Sequence, residues 1–90
     1  MALGRPKYVT FDRHGSREVV LLSPWRQHSD VLEFHVNRDE ILGAGFYQLT
    51  ADENGTVRVT CFGRSESLKK EARPADDQFL LEQHLGLEHP

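Results

Sequence analysis

Residues 41–62 read ILGAGFYQLTADENGTVRVTCF, two runs of strand-forming residues on either side of Asp52-Glu53-Asn54-Gly55. Asn-Gly supplies the positive backbone dihedrals that a tight turn needs, so the stretch predicts a β-hairpin with strands over 41–50 and 56–62. Side chains alternate across a strand, which points Val57, Val59 and Cys61 inward. Gly43 and Gly45 interrupt the first strand, where glycine weakens a ladder unless a bulge or a close approach requires it. Another part of the chain is therefore expected to pass near them.

Upstream of the hairpin, residues 7–12 place Tyr8, Thr10 and Asp12 on one side and Val9 and Phe11 on the other, the period of a half-buried strand. Arg13-His14-Gly15-Ser16 provides a tight connection into residues 18–22, whose run Val19-Val20-Leu21-Leu22 predicts a strand covered on both faces and central in the sheet. Ser23-Pro24 reads as a helix start, because serine caps free N–H groups and proline at the first helical position loses no hydrogen bond. Trp25, His28, Leu32 and Val36 recur at helical spacing, as do Val31 and His35, so a helix over 25–36 is expected to lie on the sheet. Trp25 and Tyr47 are then packing residues.

Downstream, residues 63–73 read as a polar loop. Pro74, Asp76 and Asp77 open a second helix that runs through Phe79, Leu80, Leu81 and Leu85 and stops at Gly86. The expectation is a single α+β domain over residues 1–90, with a small sheet of about four mainly antiparallel strands and two helices in the order ββαββα. A chain of 90 residues has room for one core only.

Composition narrows the function classes. Fourteen acidic against eleven basic residues give a net charge of −3, the wrong sign for a domain that neutralises a nucleic-acid backbone. The single cysteine, Cys61, has no internal disulfide partner and falls in an apolar strand pattern, which fits an inert thiol and a reducing compartment. No stretch approaches the roughly 18 apolar residues of a membrane span, and residues 1–6 lack the apolar core of a signal peptide, so a soluble cytoplasmic protein is expected. One cysteine and five scattered histidines do not make a zinc site, and no cofactor is implied.

The segment Phe62-Gly63-Arg64-Ser65-Glu66-Ser67-Leu68-Lys69-Lys70 leaves a strand through glycine and serines and gathers Arg64, Lys69, Lys70 and Arg73 in an otherwise acidic protein. Successive N–H groups and a hydroxyl can surround an oxyanion while nearby cations offset its charge; a solvated loop with surface lysines reads the same way. The spacing is not that of a nucleotide P-loop. Among the histidines, His28 stands near the start of the first predicted helix, two residues before Asp30. It is either a satisfied packing imidazole or a proton shuttle or nucleophile toward phosphorus. His14 looks like turn material, and His35, His84 and His89 sit in no recognisable pattern.

Taken in order, these residues resemble the Janus/Ocnus family, the small metal-independent phosphohistidine phosphatases. Lys7-Tyr8-Val9 resembles the family's first strand with its phosphate-facing lysine, and Trp25 followed by His28-Ser29-Asp30 resembles the catalytic histidine at the start of the main helix. Leu42-Gly43-Ala44-Gly45 is similar to the glycine-rich strand that follows. Phe62-Gly63-Arg64-Ser65 is similar to the strand end and loop that hold phosphate. The matches span roughly residues 6–85. The resemblance implies His28 as nucleophile or general base and Lys7 as charge partner. It further implies a phosphate cradle built from Ser65, the N–H of Ser67 and the surrounding Gly63, Arg64 and Lys69. Phe46 stands where the family carries a phosphate-binding arginine, Gln27 where the animal enzymes carry an aromatic residue, and Lys69 where the loop has glycine. The function so implied is hydrolysis of a phosphorylated protein or small anionic phosphoramidate. The alternative is a non-catalytic module on the same scaffold that binds an anion or a protein.

Overall fold

The computed structural model describes residues 5–87. Strands β1 (Lys7–Arg13), β2 (Ser16–Leu22), β3 (Ile41–Ala51) and β4 (Val57–Phe62) form one antiparallel sheet in the order β2-β1-β3-β4. Two short strands, β5 (Arg64–Ser65) and β6 (Lys70–Glu71), pair within the region read as an open loop, and helix α1 (Pro74–His84) follows. The fold is α+β, with 3₁₀ turns at His28–Phe34 and Arg38–Glu40 in place of the first α-helix. Among the described residues no helix is long and apolar enough to cross a membrane.

The β3–β4 hairpin forms as its turn residues dictate. The Asp52 carboxylate accepts from the N–H groups of Asn54 and Thr56 at 2.8 and 2.9 Å, and Gly55 takes a φ of 78°. Val59 and Cys61 point into the core, whereas Val57, beside the turn of the hairpin, is exposed. Burial pushes the Cys61 thiol up to about 12, which makes it unreactive at neutral pH.

The continuous apolar run of β2 marks two-sided cover, but β2 is an edge strand and β1 is central. Val20 and Leu22 pack on one face, while Val19 and Leu21 pack on the other. Burial on two faces does not fix a strand's place in the sheet; the pairing of β1 with β3 does. On the face shared by Val9, Phe11, Ile41 and Ala44, the core is completed by Val31 and Val36 of the 3₁₀ region. On the opposite face, Tyr8, Val59 and Cys61 pack against Leu81 of α1.

The first helix starts later than Ser23-Pro24 predicts. The Asp30 carboxylate accepts from the Gln27 N–H at 3.0 Å and from Arg26 Nε at 2.8 Å, which sets the entry at Gln27; His35, with a φ of 62°, ends the turn. Residues 23–26 form a separate turn, closed by Arg26 N–H donating to Ser23 O at 2.9 Å. Trp25 lies on it and is 74% exposed, so it is not a packing residue.

Asp77, in the first turn of α1 as its helix-start pattern predicts, is buried completely. Its carboxylate accepts from Tyr8 Oη at 2.6 Å, Thr10 Oγ1 at 2.9 Å, the Arg73 N–H at 2.7 Å and Arg73 Nη2 at 2.9 Å. A Cβ on Gly43 would stand 2.4 Å from Asp77 Oδ2, so the first of the two strand glycines is the opening that admits the carboxylate. Burial, followed by the bond to Asp77, pushes the Tyr8 phenol far above its usual range. Glu82, also buried, accepts from Arg58 Nε and the Val59 N–H at 2.9 Å each, so α1 satisfies a backbone donor of edge strand β4.

Asp77→Ala is expected to remove about 3–5 kcal/mol of stability, because it strands two buried hydroxyls and the backbone N–H of Arg73 and empties a fully buried site. Gly43→Ala is expected to cost about 1–3 kcal/mol through the clash with Asp77. In the Asp77→Ala background that second cost should nearly vanish. Urea unfolding of the two single variants and the double variant measures the coupling, and additive costs would show that the two residues do not share one space.

Candidate functional site

Lys7, His28, Arg64 and Ser67 line one open cleft of about 380 Å³, together with Trp25 and Phe46. β1 brings Lys7, the start of the 3₁₀ turn brings His28, and the strand-to-turn segment after β4 brings Arg64 and Ser67. The imidazole and the serine turn therefore share a side of the sheet.

His28 is 4% exposed. Its Nε2 lies 2.7 Å from the carbonyl oxygen of Gly45. A carbonyl only accepts, so Nε2 carries the proton and donates, and the lone pair resides on Nδ1. Among the described residues Nδ1 has no hydrogen-bond partner. The ring meets Phe46 edge to face, with centroids 5.5 Å apart. Burial holds the imidazole below its ordinary 6.5; the Gly45 bond partly offsets this, and the charge of Lys7 lowers it further. The ring is thus neutral at physiological pH, and its residue lines the cleft.

The second strand glycine, Gly45, is required from behind: a Cβ there would lie 2.5 Å from Phe62 O and 3.1 Å from Ala72 Cβ. Gly63 has a related role. It takes a φ of 79°, and a side chain on it would come within 2.9 Å of Phe46 Cδ2. Gly63 does not line the cleft but makes room for the ring on which His28 leans. Phe46 in turn stacks on Phe62, with centroids 6.0 Å apart.

Lys7 Nζ donates to Pro24 O and lies 5.8 Å from the Phe46 centroid. Among the described residues it has no carboxylate partner, whereas the other cations of the cleft do. Arg64 pairs with Glu66 at 3.4 Å and Arg26 with Asp30 at 2.8 Å. Lys7 is therefore the cation with the least of its charge compensated.

The turn after β5 departs from the expected cradle. Ser65 is fully buried and accepts from the Leu68 N–H at 3.1 Å, so its hydroxyl shapes the turn from within and does not line the cleft. Ser67 takes its place at the surface. Its hydroxyl accepts from the Ser29 N–H at 3.2 Å and its carbonyl from Arg38 Nη1 at 3.3 Å, tying the turn to the 3₁₀ region. Lys69 also lies away from the cleft; its φ of 55° is the left-handed conformation that glycine adopts more easily. Arg73 is withdrawn from any anion site by its bonds to Asp77. His14 and His35 are exposed and have left-handed backbones, His84 is exposed near the end of α1, and His89 lies outside the described residues. Among the described residues no group of three or more His, Cys, Asp or Glu side chains is disposed to hold a metal ion.

Trp25, expected to pack, and Phe46, expected only to stand in place of an arginine, both form walls of the cleft. Their signals were present: an aromatic residue immediately after the second strand glycine, and an indole in a Ser-Pro turn. No protein family, curated protein or solved structure matches this chain in the comparisons made with each.

The unfolded chain protonates His28 below about pH 6.5, whereas the folded chain resists protonation until lower pH, so acidification through that window favours unfolding. Urea unfolding at pH 7.5 and pH 5.5 should show a larger loss of stability for the wild type than for His28→Gln, which lacks the titrating group. Equal losses would mean that the fold does not disfavour the imidazolium.

Proposed function

We propose that the protein is a metal-independent phosphohydrolase of the phosphohistidine phosphatase type, acting on a phosphoryl group bound to nitrogen. The observation that carries this reading is the tautomer of His28, with Nε2–H committed to Gly45 O and the Nδ1 lone pair left for a cleft that Lys7 also lines. In order, the resemblance of residues 7–9, 28–30, 42–45 and 62–65 to the Janus/Ocnus enzymes supports the same chemistry.

In this mechanism His28 Nδ1 takes a proton from the water that attacks phosphorus. The new O–P bond forms as the P–N bond breaks; the released nitrogen takes up a proton from solvent and His28 returns its own to solvent, giving inorganic phosphate and the free amine or imidazole. Lys7 Nζ and the Ser67 N–H stabilise the charge that grows on the phosphoryl oxygens. Phe46 and the wall of the cleft keep the imidazole neutral, so it needs no prior deprotonation at neutral pH.

His28→Ala should lower the rate of phosphohistidine hydrolysis by about 10²–10⁴-fold with the circular dichroism spectrum retained. Lys7→Met should lower kcat as well as kcat/KM, because the ammonium acts on charge that grows in the transition state. The acid limb of kcat/KM in the wild type should lie below pH 6.5, the direction set by burial of the ring. Undiminished turnover by His28→Ala would end this reading. A wild type whose residues 63–70 shift on phosphate titration without any hydrolysis would replace it with an anion-binding module.

A further inference from the structure

Trp25 is the only tryptophan of the chain and is 74% exposed. A large aromatic side chain left in water forgoes the burial that would stabilise the fold, so its position calls for a reason outside packing. It lines the same cleft as His28, Lys7 and Phe46.

The backbone beneath it is held on both sides. Pro24 O accepts from Lys7 Nζ, the Arg26 N–H donates to Ser23 O at 2.9 Å, and the Gln27 N–H donates to Asp30 Oδ2 at 3.0 Å. Arg26 Nε reaches the same carboxylate oxygen at 2.8 Å. The indole thus stands on a fixed ledge, and one of the bonds that fix it comes from the lysine proposed to meet the phosphoryl group.

A volume of about 380 Å³ falls in the range of roughly 300–1,000 Å³ that accommodates small organic ligands, more than a bare oxyanion requires. Pro24, Trp25 and Phe46 give this space an apolar side, and Lys7 and Ser67 give it a polar one. A ligand that satisfies both sides carries its phosphoryl group on a flat, weakly polar ring. We infer that Trp25 is a specificity-determining platform, stacking on the planar ring of the substrate and favouring phosphoryl groups bound to a ring nitrogen over those on an aliphatic or simple amine. The inference rests on the catalytic reading above for its substrate, but the platform can be tested separately.

The first measurement is the ratio of kcat/KM for phosphohistidine to that for phosphoramidate, which has no ring. Trp25→Ala should lower this ratio roughly tenfold, through KM for the ring-bearing substrate, and Trp25→Phe should restore most of it. An unchanged ratio in a variant with wild-type circular dichroism would overturn the platform while the catalytic reading stands. The second measurement needs no turnover. Because Trp25 is the sole tryptophan, its emission reports on the cleft directly, and phenyl phosphate should quench it at concentrations at least tenfold below those at which inorganic phosphate acts. Ring-dependent quenching in a protein that hydrolyses neither substrate would keep the platform and remove the catalytic reading, and equal responses to the two phosphates would overturn the platform.

Discussion

The buried carboxylate of Asp77 is the constraint on which the structure depends. A desolvated charge is tolerated only when its lone pairs are filled and a cation stands beside it, and the chain meets that demand from three places. Tyr8 and Thr10 of β1 donate hydroxyls, Arg73 donates both backbone and side chain, and Gly43 of β3 leaves the space. The first turn of α1 is thereby fixed against the two central strands at one point. Because side chains alternate along β1, fixing Tyr8 and Thr10 on that face commits Lys7, Val9 and Phe11 to the other. The position of the cleft lysine follows from a bond network on the far side of the sheet.

The glycine-rich part of β3 connects the two faces. Gly43 yields to the Asp77 carboxylate and Gly45 to the Phe62 carbonyl and Ala72, both on the side of α1. Between them Ala44 packs in the opposite core, and the Gly45 carbonyl orients His28. A stretch that must give way on one face therefore sets the tautomer of an imidazole on the other. Phe46 completes the arrangement by shielding that ring, and Gly63 exists in its left-handed conformation where any side chain would strike Phe46.

What the sequence disclosed was local. Asn54-Gly55 announces its turn, the alternation of 7–12 announces a strand, and Pro74 and Gly86 mark the ends of the last helix, because each signal acts within a few residues of itself. The order of strands was hidden, since β2 is covered on both faces while remaining at the edge. The replacement of an α-helix by a 3₁₀ turn was hidden too, because it depends on where the Asp30 carboxylate finds its donors. The burial of Asp77, named only as a helix-opening residue, was hidden for a similar reason: it depends on a missing side chain in a distant strand. Within the candidate site, His28, Lys7 and the turn near Ser67 were visible as residue types in a familiar order. Ser65 was misplaced by one alternation of the chain, and the aromatic residues of the wall read as packing or as a departure from a family pattern although their positions were marked.

The His28–Phe34 turn is a brief 3₁₀ coil with little cooperative stability of its own, and it rests on the sheet through Val31 together with a few discrete bonds. Rim and scaffold are thus separable in evolutionary terms. Insertions, deletions and side-chain drift between residues 23 and 40 can reshape this rim of the cleft, while the strands keep the packing that presents Lys7 and Phe46 to it. Changing that one connection would alter the rim of the cleft and leave the architecture in place.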